Sequence, residues 1–377
     1  MKLAKTMLCG AAVALSAAAW GAESAKPVEP AKPARPRVEV VFVLDSTGSM
    51  GGLIEGAKQK IWSIANGIVA QKPSPLVRIG LVSYRDKGDE YVTKKFDLTD
   101  DIDAVFKNLQ SFQAAGGGDG PESVNQALKE AVNDFSWSKE PETAKIIFLV
   151  GDYPPHMDYR DDVKYPATCQ TAAKGNVIIN TVQCGSYGPT TPVWQEIARL
   201  AEGSYIQLAQ SGGMTAVATP VDAEIAKISA EIGRTTVAYG SIMEQRAVAA
   251  KNVMAESSAP SVAASRAVYN YATGGKAVQG RGELLADMTE GHVKLESVKD
   301  ADLPPEMQKM TADERKAYVA KQQEKRAALN KQLEELVRKR SDFIEAEKKR
   351  LAAEGKGDAF DVKVEEIVKE QARRKAK

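Results

Sequence analysis

The stretch Val41-Phe42-Val43-Leu44-Asp45-Ser46-Thr47-Gly48-Ser49-Met50 runs an apolar, largely β-branched segment into a carboxylate and then into small hydroxyl residues. Residues 38–44, VEVVFVL, read as a strand buried on both faces of a parallel sheet. The strand's end presents Asp45, Thr47 and Ser49 at spacing two, so a tight loop can point three oxygens the same way. Helical spacing follows at Leu53, Ala57, Ile61, Ile64 and Ile68.

The same alternation continues along the chain. LVRIGLVSY, AKIIFLVGD and NVIINTVQCG read as further strands, YVTKKF as a short edge strand and GSYIQLA as a last short one. DDIDAVFKNLQSF, PESVNQALKEAVNDF, PVWQEIARLAEG and VDAEIAKISAEIGRT read as helices, the second opened by Pro121 at a first-turn position. Alternating strands and helices predict a doubly wound, mostly parallel α/β sheet flanked by helices, a Rossmann-like arrangement. In such sheets ligands bind beyond the carboxyl ends of the strands. Asp152 ends the strand FLVG, and AAGGGDGPES places Asp119 after three glycines that permit close backbone approach. Each acid alone could cap a helix or shape a turn. Five oxygen side chains on one edge exceed what capping requires. Oxygen-only donors with few carboxylates suit Mg²⁺, with Mn²⁺ or Ca²⁺ as alternatives.

VFVLDSTGSM, GGGDGPES and FLVGD resemble the three loops of the metal-ion-dependent adhesion site of von Willebrand factor type A domains, over about residues 38–236. The resemblance implies Asp45, Thr47, Ser49, Asp119 and Asp152 as the metal residues. Thr47 stands where the family's first loop has a serine, and Asp119 where the second loop has a threonine. It also implies an open coordination position, completed by an acidic side chain of a protein partner. SYRDKGD, GGGDGPES and GDYPPH further resemble a bacterial branch in which this domain sometimes precedes an alpha-kinase; residues after 236 do not resemble a kinase.

Beyond this domain the expectations are coarser. MKLAKTMLCGAAVALSAAAWGA has a basic start, an apolar run and small residues, so residues 1–22 read as a secretory signal peptide. The run falls short of the ~18 residues that span a bilayer, and export to periplasm or cell surface follows. Prolines 27, 30, 33 and 36 make residues 23–37 an extended, proline-rich linker. The chain carries 51 basic and 50 acidic side chains. Loss of Lys2 and Lys5 leaves 49 against 50, so no global field points to nucleic acid or a membrane surface.

Cys169 and Cys184 are an even pair in an exported chain, which favours a disulfide. The predicted geometry argues against it: Cys184 lies ~26 Å along its strand while Cys169 lies ~8 Å along the returning helix. Residues 237–300 are Ala-, Ser- and Gly-rich with weak periodicity. Residues 301–377 form a charged helical region in which Thr311 and Glu314 make a capping box before a helix over 312–353. Leu329, Leu333, Leu336 and Phe343 fit a heptad seam that Arg340 and Glu347 interrupt, a short coiled-coil signature. FDVKVEEIVKEQARRK is a second amphipathic helix.

Catalysis finds little support in the residues. Ser49 is claimed by the metal loop, no G-x-S-x-G is present, and GGKAVQGRG matches neither phosphate-binding pattern. His156 reads as a loop histidine near the site's rim. The sequence therefore points to a non-enzymatic binding module. The alternatives are an assembly protein whose metal only staples the fold, or an accessory to a kinase or hydrolase system. N-terminal sequencing of the mature protein is expected to begin between Trp20 and Glu23; a chain that retains Met1 would contradict export.

Overall fold

Six of the nine residues of β1 (Arg37–Asp45) are apolar or β-branched, and every residue after Arg37 is buried. The computed structural model describes residues 35–118, 120–214, 217–354 and 360–375. β1 lies at the middle of a six-stranded sheet with β2 (Leu76–Tyr84) and β4 (Ala144–Gly151) as its parallel neighbours. β3 (Thr93–Thr99) closes one edge antiparallel to β2, while β5 (Val177–Cys184) and β6 (Tyr205–Leu208) extend the other edge in parallel. The chain thus winds outward from β1 in one direction and resumes on its other side. Strand order reverses between β1 and β4, and the loops after these two strands diverge there, as at the ligand crevice of open α/β sheets.

Alternation along β1 divides the interior into two layers. Val38, Val40, Phe42 and Leu44 pack on one face with α1 (Gly51–Val69) and α2 (Ile102–Gln110). Val41 and Val43 pack on the other with α3 (Val124–Asn133), α4 (Tyr165–Lys174) and α5 (Thr190–Leu200). Two-sided burial explains why these strands read as continuous apolar runs. Cys169 on α4 and Cys184 at the end of β5 are both buried free thiols.

The start of α3 departs from expectation. Pro121 does not open the helix, which begins at Val124 after Ser123. Glu122 instead pairs in extended form with the loop after β4: its N–H donates to Pro154 O and its carbonyl accepts from the His156 N–H, each at 3.0 Å. This tertiary pairing overrides the N-terminal preference of proline.

After α6 (Asp222–Gly233), residues 237–300 are ordered as α7 (Ile242–Glu256), α8 (Pro260–Ala272) and α9 (Leu284–Thr289) with intervening turns. A short helix α10 (Pro305–Gln308) precedes α11 (Ala312–Ala353), a single 42-residue helix that begins at the Thr311–Glu314 capping box. The heptad seam is spent inside the chain. Leu329, Leu333 and Leu336 pack against Ile225, Ile228 and Ile232 of α6 and Ala264 and Ala267 of α8. Arg340, which interrupts the seam, is buried and donates to Asp222 Oδ1 at 2.8 Å and Ser265 Oγ at 2.8 Å. Phe343, the next apolar seam position, is 40% exposed. Arg326 similarly donates to both Glu283 oxygens at 2.9 and 3.0 Å, and Arg266 of α8 to both Asp103 oxygens on α2 at 2.6 and 2.9 Å. Removing one partner of such buried pairs costs more than the pair contributes.

The tail helix α12 (Phe360–Lys375) packs on α1 and on the sheet. Phe360 meets Phe42 edge-on at 6.1 Å, and Gln371 donates to Asn180 Oδ1 of β5 at 2.8 Å. α12 therefore completes the first core layer. Phe360→Ala is expected to lower stability by about 3 to 5 kcal/mol in urea denaturation, as for other fully buried phenylalanines. A loss below about 1 kcal/mol would show that α12 is dispensable to that layer.

Candidate metal centre

The first loop is built on Asp45 at the buried end of β1. Its Oδ1 accepts from the Thr47 N–H at 2.8 Å and the Thr47 hydroxyl at 2.6 Å. The Ser49 hydroxyl lies 3.4 Å from that of Thr47. The predicted trio thus gathers in one turn, Asp45 and Thr47 buried and Ser49 exposed. Asp152, just past β4, is also buried; its Oδ2 accepts from Gln210 Nε2 at 2.8 Å and its carbonyl from the Thr190 hydroxyl at 2.8 Å. Asp119 lies outside the described residues.

Glycines allow this convergence. A side chain at Gly151 would come within 2.3 Å of Tyr84 Oη and 3.0 Å of Asp45 Oδ2. Gly116 and Gly117 take φ of +79° and +80°, open to glycine without steric cost. There the second loop docks on the first: the Gly48 N–H donates to Gly116 O at 3.1 Å and the Ala115 N–H to Ser46 O at 3.0 Å. Asp89 accepts from the Gly117 N–H at 3.1 Å.

The arrangement leaves charge uncompensated. Five buried carboxylates among the described residues have an oxygen without a hydrogen-bond partner: Asp45, Glu122, Asp152, Asp162 and Asp361. Asp162 faces Lys87 at 3.6 Å and Asp361 faces Lys60 at 3.0 Å. Among the described residues Asp45, Glu122 and Asp152 have no ion-pair partner, and all three lie at this edge. Burial, with the Asp152 charge adding to it, pushes the Asp45 carboxyl up to about 7 although Thr47 hydrogen bonds pull it down. Burial and the charges of Asp45, Asp86, Asp152 and Asp89 push Glu122 up to about 9. Burial, with the charges of Asp45, Glu122 and Asp152 adding to it, holds the Tyr84 phenol well above its usual range.

A hard divalent cation fits this donor set. Asp45 and Asp152 each keep a buried oxygen without a partner, and Thr47 and Ser49 supply neutral oxygens beside Asp45. Among the described residues no three His, Cys, Asp or Glu side chains gather closely enough to hold an ion by themselves.

Two residues were not among the sequence candidates. Gln210, from the loop after β6, orients Asp152, and nothing local in the sequence marks it. The pattern PESVNQALKEAVNDF reads Glu122 as a first-turn helix residue; its place in GGGDGPES, three residues after Asp119, is the available signal. His156 lies in the loop after β4, as its sequence position suggests. It is buried, stacked on Tyr159 at 4.1 Å, with Nδ1 2.8 Å from Asp158 and Nε2 3.4 Å from Asp86.

Residues 39–219 match the family model described as von Willebrand factor A domain, and this stretch is a von Willebrand factor A domain. A putative ariadne-like RING finger protein of Acanthamoeba polyphaga mimivirus is 29% identical over 119 residues, 32% of this chain and 11% of that protein. The chain therefore spans only a small part of that relative's length. The solved SpRpn10 VWA domain is 14% identical, with 46% of this chain and 89% of that one covered at a TM-score of 0.36. An aerotolerance-related membrane protein from Bacteroides fragilis, carrying multiple mutations to serines, is 16% identical, with 46% and 92% covered at 0.32.

The raised Asp45 carboxyl sets a pH dependence for the metal-free chain. At pH well below 3.8 it is protonated in the folded and unfolded states alike. Between 3.8 and about 7 the unfolded chain ionises first, so stability falls as pH rises and levels off above. Glu122 extends the decline toward about 9. Urea denaturation in chelator from about pH 4 to about pH 9 should show a loss of a few kcal/mol, one pKa unit being about 1.4 kcal/mol. Constant stability across that range would contradict it.

Proposed function

We propose that this domain binds a divalent cation, Mg²⁺ first with Mn²⁺ or Ca²⁺ as alternatives, and uses it to engage a protein partner in the cell envelope. Asp45 and Asp152 supply the charge, Thr47 and Ser49 the neutral oxygens, and Asp119 the second loop's contribution. The observation that carries this reading is the pair of buried carboxylates, Asp45 and Asp152, each with an oxygen that has no hydrogen-bond partner and neither with an ion-pair partner among the described residues. The bound ion would supply a Lewis-acidic position to which an acidic side chain of the partner binds. The chain's own part is to hold the donors in place. Thr47 orients Asp45 through two hydrogen bonds, Gln210 orients Asp152 through one, and the exposure of Ser49 leaves one side of the centre open.

Von Willebrand factor A domains commonly mediate protein interactions, and the export signal read in residues 1–22 would bring the partner into the periplasm or onto the cell surface. A binding role rather than catalysis is proposed, because every oxygen at the centre is claimed by ion or fold. A second reading, in which the ion only staples the fold, draws on the burial of the two carboxylates. The two readings part in chelator. Partner capture from an envelope extract is lost under the first, whereas the second predicts a lower melting temperature with no partner involved.

Calorimetry with Mg²⁺ and Mn²⁺ tests the centre itself. Asp45→Ala is expected to abolish binding and slightly to stabilise the metal-free fold, since it relieves repulsion among clustered carboxylates. Thr47→Ala and Ser49→Ala remove neutral ligands and should weaken binding less; Asp119→Thr should retain it. An Asp45→Ala variant that binds metal as tightly as the parent sinks the proposal.

A further inference from the structure

We infer that Glu122 is an outer carboxylate of the metal centre, acting on the ion by its charge from outside the ligand set; this rests on the metal-binding reading above. Four observations converge on it. Glu122 is buried at 2% exposure, and its Oε2 has no hydrogen-bond partner. With Asp45 and Asp152 it completes the set of buried acids that, among the described residues, lack both a partner on one oxygen and a basic neighbour. A side chain at Gly117 would sit 3.1 Å from Thr47 Cβ and 3.3 Å from Glu122 Oε1, so the bare Gly117 lies between the first loop's hydroxyl residue and the glutamate. Its backbone is pinned to the third loop through Pro154 and His156.

Glu122, whose Oε2 has no hydrogen-bond partner while its backbone is fixed to the third loop, is held where ionising its side chain is costly. Burying an unpaired carboxylate is expensive, and nothing in the packing of α3 needs one, since the helix starts two residues later. A cation beside Asp45 and Asp152 would offset that cost. Glu122 is not close enough to both acids to make a ligand trio, which places its action outside the first coordination sphere. Its role is to deepen the negative potential and favour a divalent ion over a monovalent one.

The test compares the parent chain with Glu122→Gln and Glu122→Asp by calorimetry with Mg²⁺ and Mn²⁺, alongside thermal melts in chelator. Gln keeps shape and loses charge; Asp keeps charge and loses a methylene. If charge matters, Gln weakens both ions roughly 10- to 100-fold, the usual size of outer-shell effects. It also raises the metal-free melting temperature, while Asp stays within a few-fold of the parent. Parent-like affinity in Gln, or equal losses in Gln and Asp, overturns the assignment and leaves the metal centre standing. A parent chain that binds neither ion overturns the centre, and this assignment with it.

Discussion

Negative charge buried without a counter-charge is the constraint around which the upper edge of this sheet is arranged. A carboxylate moved out of water loses solvation worth many kcal/mol unless something replaces it. Elsewhere among the described residues the replacement is often an arginine (Arg266 on Asp103, Arg326 on Glu283, Arg340 on Asp222) and at Asp361 a lysine, Lys60. At the ends of β1 and β4, none of the described residues forms an ion pair with Asp45 or Asp152. The deficit falls where the strand order reverses and the loops part, the position of the ligand crevice in open α/β sheets.

The backbone is adapted to the same end. Gly151 lets Tyr84 and Asp45 crowd beneath the β4 terminus, and the left-handed Gly116 and Gly117 bring the second loop down onto the first. These are sterically narrow solutions. A side chain at Gly151 would collide with Tyr84 before it disturbed any ligand.

The sheet was legible because two-sided burial writes long β-branched runs, and Asp45, Thr47, Ser49 and Asp152 were legible because each follows such a run. Glu122 was not, because its extended backbone comes from pairing with Pro154 and His156, residues more than thirty positions away. Residues 237–300 were opaque for a related reason. α7 buries only Val248 and Ala255, and its surroundings are held by buried arginine–carboxylate pairs that leave no apolar period. The α11 seam was read correctly as a stripe. Its partner proved to be α6 and α8, which no spacing along one helix can reveal.

The tail helix has a consequence for how the molecule is made. Phe360, Val364, Ile367 and Val368 fill the same core layer as Phe42 and Ile54, although more than three hundred residues separate them along the chain. Contacts so distant in sequence form late. During synthesis from the N-terminus, α1 and α2 can cover their share of the sheet's first face early, but the part of it beside Phe42 that α12 covers stays exposed until α12 emerges, and exposed apolar surface of that kind is what chaperones shield.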